Sequence, residues 1–351
     1  MRSSYLPEDV TILLKDITGL VEPQGTQERE RLIQAGRHYS EMLPIEYRPT
    51  EDYLALYEMA LKNYAKQTAD AVMAVAEKIY AKKNGQPVLV SLARAGTSIG
   101  VLIKRYLRLR YAIDVPHYAI SIIRGVGIDR TAMDYLLARH SASSILFVDG
   151  WTGKGAIARQ LAEAMRDYPE VSPGLAVLSD PANVAMLSGT QEDFLIASSC
   201  LNCTVSGLMS RTFNRSDIIL PGDFHGAAYY GELKDADRTY EFIDAVAAHF
   251  SASGRTAQEE ESLGSRTGLM EAQEIAAHFG IRDINLVKPS IGEATRVLLR
   301  RVPNRILVRS LDDAAHIGHI LQLAQEKHVP VEEYPLRNYR ACGLIQAMGD
   351  I

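Results

Sequence analysis

Residues 145–156, ILFVDGWTGKGA, set a carboxylate beside a small-residue loop. Asp149 ends a four-residue apolar run and can accept hydrogen bonds from hydroxyl groups such as those of a ribose. Thr152, Gly153, Lys154 and Gly155 then lead into a helix pattern at Ala156. Free backbone N–H groups at such a helix start, with the helix dipole behind them, suit a phosphate. The loop is not of the Walker type, because Gly155 rather than Ser or Thr follows Lys154. The alternative is a strand-to-helix turn whose glycines serve geometry alone.

Two other stretches carry arginines among small residues. In 91–100, SLARAGTSIG, Arg94 lies between Ala93, Ala95 and Gly96, with Thr97 and Ser98 as prospective helix caps. It reads either as an anion ligand or as a surface arginine at a tight turn. In 124–130, RGVGIDR, Arg124 and Arg130 flank two glycines, as in a flexible loop that closes over an anion; equally, Asp129 can cap the next helix. Cys200 and Cys203 have metal-like spacing, but no second such pair exists. Paired with His225, either cysteine could instead act as the nucleophile of a cysteine protease or other hydrolase. His316 and His319 share one helix face, a pattern more common on solvated surface than at metals.

The elements that must position these residues alternate. After a helical stretch over 51–83, the pattern predicts strands at 88–92, 117–123, 145–148, 175–178 and 193–197, with helices at 99–109, 131–139 and 156–165 between them and another at 242–250. Strands separated by helices imply right-handed parallel crossovers, hence a doubly wound α/β sheet with ligands at its carboxyl edge. Residues 1–50 read as an extension wrapped on that core. The serine-, glycine- and glutamate-rich segment 251–268 has the composition of a linker. It divides a first domain, 1–250, from a second, 269–351. Residues 281–310 of the second carry seven basic side chains against two acidic ones, which points to a different partner. Short strands at 284–287, 305–308 and 329–334 alternate there with helices at 292–301 and 312–327.

The totals narrow the setting. A length of 351 residues allows about two domains. A formal net charge of -5 argues against a wholly basic nucleic-acid binder. Three cysteines and the lack of a continuous apolar segment at the amino terminus suit a cytoplasmic protein.

The stretches VSLARAGTSIG and ILFVDGWTGKG resemble the pyrophosphate loop and the phosphoribosyl-diphosphate signature of class I phosphoribosyltransferases, over roughly residues 30–250. With HYSEMLPIEY (38–47) and SSCLNCTVSGLMSRTFN (198–214), the whole chain resembles the phosphoribosyltransferase-like proteins with a carboxyl-terminal pelota-type RNA-binding domain. These are encoded with tellurite-resistance and stress-response clusters and are sometimes labelled StiP. The resemblance implies a class I phosphoribosyltransferase-like doubly wound sheet plus a small α/β pelota-like domain. It implies a glycosyltransferase acting on phosphoribosyl diphosphate (PRPP) and an unidentified nucleobase, in biosynthesis of a stress-related ribonucleoside. Asp149 would hold the ribose and, through water, Mg²⁺; the loop 93–96, with a non-proline cis peptide, would hold pyrophosphate through Arg94; Thr152 to Gly155 would hold the 5-phosphate; Arg124 and Arg130 would sit on the flexible loop. Asn202 and Ser206 would line the base pocket. KPSIGEATRVLLRR (288–301) and NYRACGLI (338–345) resemble the pelota fold, with Lys288, Arg296 and Arg300 on RNA phosphates. A basic dimerisation or docking surface is the alternative there, and a homodimer follows by analogy with the transferases. The family signature has two adjacent acids, whereas Gly150 follows Asp149 here. That departure leaves a second possibility, a non-catalytic sensor of a phosphoribosyl ligand with an RNA-docking tail.

Overall fold

The computed structural model describes residues 1–253 and 266–346. The first domain is built on a parallel sheet in the order Thr11–Ile12, His117–Ile123, Val88–Ala93, Ile145–Val148, Leu175–Ser179, Leu187–Thr190. Gly127–Ile128 adds an antiparallel hairpin partner to His117–Ile123. The strand residues alternate between two cores, because successive side chains in a strand point to opposite faces. Leu89, Leu146, Val148, Ala176 and Leu178 join one apolar cluster, which holds the helices Glu51–Lys82, Ala95–Tyr111 and Thr239–Ala247. Val90, Phe147, Leu175 and Val177 join the other, with the helices Arg130–Leu137 and Ala156–Ala164. Helices on both faces make this a doubly wound α/β domain with a mostly parallel sheet, as the alternating pattern requires.

The amino-terminal extension does more than wrap. Thr11–Ile12 extends the sheet at its edge, and Lys15–Asp16 pairs in parallel with Gly226–Ala227. Two elements of this domain differ from the sequence reading, and in the second domain the strand expected at 284–287 is a 3-10 turn at Ile284–Leu286 that leads into a strand at Val287–Pro289. Residues 193–197 form no strand; the edge strand is Leu187–Thr190, and the apolar run after Asp193 packs as irregular chain and a short 3-10 turn at Ala197–Ser199. The helix expected at 99–109 begins at Ala95, so Thr97 and Ser98 are buried inside it rather than capping it.

The second domain has a four-stranded sheet in the order Val287–Pro289, Ala341–Ile345, Pro303–Val308, Val331–Glu333. Its helices are Thr267–His278, Ile291–Arg300 and Ala314–Glu326. Residues 254–265 of the expected linker lie outside the described residues, and Thr267 already belongs to a helix. Ile291, Ala294, Val297, Ile317 and Ile320 continue the main apolar cluster of the first domain, so the two domains share one core. Among the described residues no helix is long and apolar enough to cross a membrane.

Candidate functional site

The strand order reverses between Val88–Ala93 and Ile145–Val148, whose following helices lie on opposite faces of the sheet. In doubly wound sheets that switch point opens the crevice in which ligands bind. The two loops leaving these strands touch. A Cβ on Gly96 would lie 2.4 Å from the Val148 carbonyl oxygen and 3.1 Å from Asp149 Cα, so only glycine allows this approach. The Ala93–Arg94 peptide is cis.

The 149–155 loop is covered by the second domain. Lys154, 8% exposed, donates from Nζ to the carbonyl oxygens of Ile284 (2.5 Å) and Val287 (2.7 Å). The Tyr339 hydroxyl donates to the Gly153 carbonyl (2.6 Å). Thr152 Oγ1 donates to Asp180 Oδ1 (2.5 Å), and Gly155 takes a left-handed conformation against Val184. Burial, with Lys288 nearby, lowers the Lys154 pKa to about 8. Of the residues expected at a 5-phosphate, Lys154 and Gly153 thus bind the second domain, while Thr152 is tied to Asp180 within the first.

A cavity of about 240 Å³ remains between the loop and the second domain, lined among others by Asp149, Trp151, Arg124, Lys288, Glu293 and Arg296. Asp149 accepts the Gly150 N–H (2.8 Å) and forms no ion pair with a described residue; burial pushes its pKa up to about 6 against the pull of that N–H and of Arg296. Arg296 stacks over Trp151 at 4.7 Å, donates to the Ser199 carbonyl (3.2 Å) and pairs with Glu293 (3.1 Å). Arg124 reaches Asn285 Oδ1 (3.0 Å). Two of the side chains expected on RNA, Lys288 and Arg296, therefore face the first domain, while the Arg300 side chain lies outside the described ones. Arg130 stands apart, paired with Asp167 at the surface. Asp149, expected to hold Mg²⁺ through water, shares the cavity with one other carboxylate, Glu293. Glu293 is already held by Arg296, and no group of three metal-ligating side chains occurs among the described residues.

Arg94 points the other way, toward the cysteine loop. Its Nη1 donates to Glu46 Oε1 (3.1 Å) and the Met209 carbonyl (2.8 Å), and Nη2 to Asn202 Oδ1 (3.4 Å). Burial works against its charge, but Glu46 and Cys203 outweigh that and hold its pKa above the usual arginine value. Cys203 is 1% exposed; burial first, then Glu46, pushes its thiol up to about 12 despite Arg94. Arg211 lies over the Tyr39 ring at 5.4 Å, and burial together with Arg29 and Arg94 lowers its pKa to about 10. Asn202 thus serves Arg94, and Ser206 donates to the Asn202 carbonyl (2.8 Å). The expected cysteine–His225 pair does not form at Cys203, whose charged neighbours are Glu46, Arg94 and Asp237. His225 instead directs Nδ1 to Ser121 Oγ (2.8 Å) and its backbone N–H to Asp129 (2.6 Å). Glu46, Tyr39 and Arg211 were not singled out as site residues. Their sequence signal is their place in the runs 38–47 and 198–214, which carry the family resemblance.

Fold and site define a two-domain α/β protein with a buried thiol–guanidinium–carboxylate cluster and a charged inter-domain cavity. Residues 3–247 match the family described as tellurite-like stress resistance cysteine protease StiP, and the chain belongs to that family. Residues 266–347 match the PELOTA RNA binding domain. The chain is 37% identical to the cysteine protease StiP of Acinetobacter baylyi (strain ATCC 33305 / BD413 / ADP1), over 99% of this chain and 94% of that protein. Among solved structures, a Clostridium difficile 630 protein described provisionally as a phosphosugar isomerase shares 12% identity, with 79% of this chain and 68% of that one covered and a TM-score of 0.22. The family and the relative overturn the phosphoribosyltransferase and glycosyltransferase reading, since both carry a cysteine protease description. The occupied loop gives a physical reason: its lysine and one of its carbonyls bind the second domain.

Proposed function

We propose that the chain is a cysteine-dependent peptide hydrolase with Cys203 as its nucleophile. The observation that carries this is the setting of the thiol. Cys203 lies within the family-matched span and faces the buried Arg94 guanidinium and Glu46, whereas Cys200 packs in the main apolar core and Cys342 lies in the second domain. A guanidinium favours the thiolate, which is the reactive form. In the reaction Cys203 Sγ attacks the peptide carbonyl carbon, and the thiol proton passes to Glu46 and then to the leaving amine. Water next cleaves the thioester and restores the thiol. The conformation described here is a resting one: the thiol is neutral and covered, and substrate must part the 202–211 loop from Glu46 before attack. The second domain brings an RNA-binding fold to the same molecule, so RNA is a proposed partner. The test is cleavage of a fluorogenic peptide library by the full chain, Cys203→Ser and Cys200→Ala. Loss with the first and retention with the second supports the reading. Activity that survives Cys203→Ser refutes it.

A further inference from the structure

The hydrolase reading leaves one charge beside the thiol without a partner. From Cys203 to Phe213 every residue is buried except Arg211, which is partly exposed. Its guanidinium makes no hydrogen bond or ion pair with a described residue; what it meets is the Tyr39 ring, at 5.4 Å. That ring is held in place, because the Tyr39 hydroxyl accepts the Arg124 N–H (2.9 Å). The chain on either side of Arg211 is held too in this resting conformation. Arg94 donates to the Met209 carbonyl (2.8 Å), the Ser210 N–H donates to the Ala228 carbonyl (2.9 Å), and Phe213 bridges Gly226.

A guanidinium carries only donors, and leaving them unanswered in a partly desolvated place is costly. The neighbours add to that cost. Burial first, then the Arg29 and Arg94 guanidiniums, work against the Arg211 charge, while Glu46 supports it. Glu46 is already bonded to Arg94 (3.1 Å). Three guanidiniums against one carboxylate leave an excess of two positive charges, so the group this place lacks is an anion. Glu46 and Arg94 also set the charge around Cys203, which puts Arg211 and the thiol at one site. An unmodified peptide that lays its carbonyl on Cys203 brings an anion there when a neighbouring residue is Asp or Glu. The guanidinium fork takes a carboxylate through two parallel N–H···O bonds, which an amide, with its single acceptor oxygen, cannot complete. Contact with the Tyr39 ring acts through the guanidinium charge and leaves those donors available. A substrate lysine would only add to the repulsion.

We propose that Arg211 selects acidic substrates: it binds an Asp or Glu side chain close to the peptide bond that Cys203 attacks. As the one partly exposed position of 203–213, Arg211 is where the substrate carboxylate first engages the covered site. This specificity rests on the hydrolase reading for the bond that is cut, but binding is read in the Cys203→Ala protein, which separates its failure from failure of that reading.

Peptide pools that are amidated at the carboxyl end and random except for a fixed central Glu, Gln, Lys or phosphoserine test this, beside a Gln pool with a free carboxyl end. Binding is read by fluorescence anisotropy on the full chain carrying Cys203→Ala, and kcat/KM on the unaltered chain. The Glu pool should bind and be cleaved at least ten-fold better than the amidated Gln and Lys pools. Arg211→Met should bring the Glu-to-Gln ratio near one in both assays, with melting temperatures showing that the variant folds. Arg211→Lys, which keeps a charge without the fork, should retain part of the preference. A ratio near one before any change at Arg211, or a preference that survives Arg211→Met, would overturn the proposal. So would tighter binding of the phosphoserine pool, a free-carboxyl Gln pool that binds as well as the Glu pool, or no binding to Cys203→Ala at all. Acid-selective binding that Arg211→Met removes, found together with cleavage that survives Cys203→Ser, would sink the hydrolase reading and support the acid site.

Discussion

Replacing Glu46 by Gln should make Cys203 more reactive. In the folded chain the thiol is pushed up to about 12, first by burial and then by the Glu46 carboxylate, against the pull of Arg94. An ordinary thiol titrates near 8.5, so at pH 8 roughly a quarter of it is thiolate, against about one part in 10⁴ for a thiol at 12. The thiolate is the species that alkylates, so Cys203 in the folded chain should react with iodoacetamide roughly two thousand-fold more slowly than the same cysteine in denatured protein, before any steric shielding is counted. Removing the Glu46 charge leaves Arg94 without its carboxylate partner, so the thiol pKa falls and the rate at pH 8 rises. Peptide mapping by mass spectrometry follows Cys203 separately from Cys200 and Cys342, with time and pH as variables. The expected rate still climbs at pH 10 in the unaltered chain, and Glu46→Gln moves the rise to lower pH. A rate that levels off near pH 8.5 in the folded protein, or a slower reaction after Glu46→Gln, would refute the reasoning.

Further outcomes follow from the same geometry. Asp149 has a folded pKa pushed up to about 6, above its usual value, so the neutral form favours the fold: that contribution is complete below about pH 4 and is lost as pH rises through 6. Asp149→Asn should therefore raise the melting temperature at pH 7.5, by up to about 3 kcal/mol of stability for a shift of roughly two units, with little effect at pH 4; a gain equal at both pH values contradicts this. Asp193, 4% exposed, accepts N–H bonds from Ile291 (3.0 Å) and Arg340 (2.9 Å) of the second domain. Asp193→Ala leaves both donors buried without a partner, costing about 2–5 kcal/mol of domain docking, seen as an increased radius of gyration in small-angle scattering. Gly96→Ala forces a Cβ against the backbone of Val148 and Asp149, and should cut both the melting temperature and peptide hydrolysis.

Much of the first domain was legible because its buried strands carry near-continuous apolar runs. His117–Ile123 and Ile145–Val148 match their predicted bounds for that reason. Leu187–Thr190, LSGT, was not legible: it has one large apolar residue and half-buried positions, so the DFLIA run after it drew the assignment. That run is apolar because it packs in the core beneath the second domain, a tertiary cause that no local pattern carries. The same limit hid the fate of Lys154. A lysine in a glycine loop at a helix start looks like a phosphate ligand until carbonyl groups 130 and 133 residues away are seen to claim it. Arg94 was legible as a special arginine, but its partners Glu46 and Cys203 lie far off in sequence, and nothing local marks Glu46 rather than Glu41 as the carboxylate of HYSEMLPIEY that serves it.

Cys203→Ser in the full chain tests the central claim most directly, measured as cleavage of a peptide library beside unaltered protein and Cys200→Ala at matched melting temperature. The account predicts that cleavage disappears with Cys203→Ser and persists with Cys200→Ala. Cleavage that survives the first change, or is lost only with the second, contradicts it.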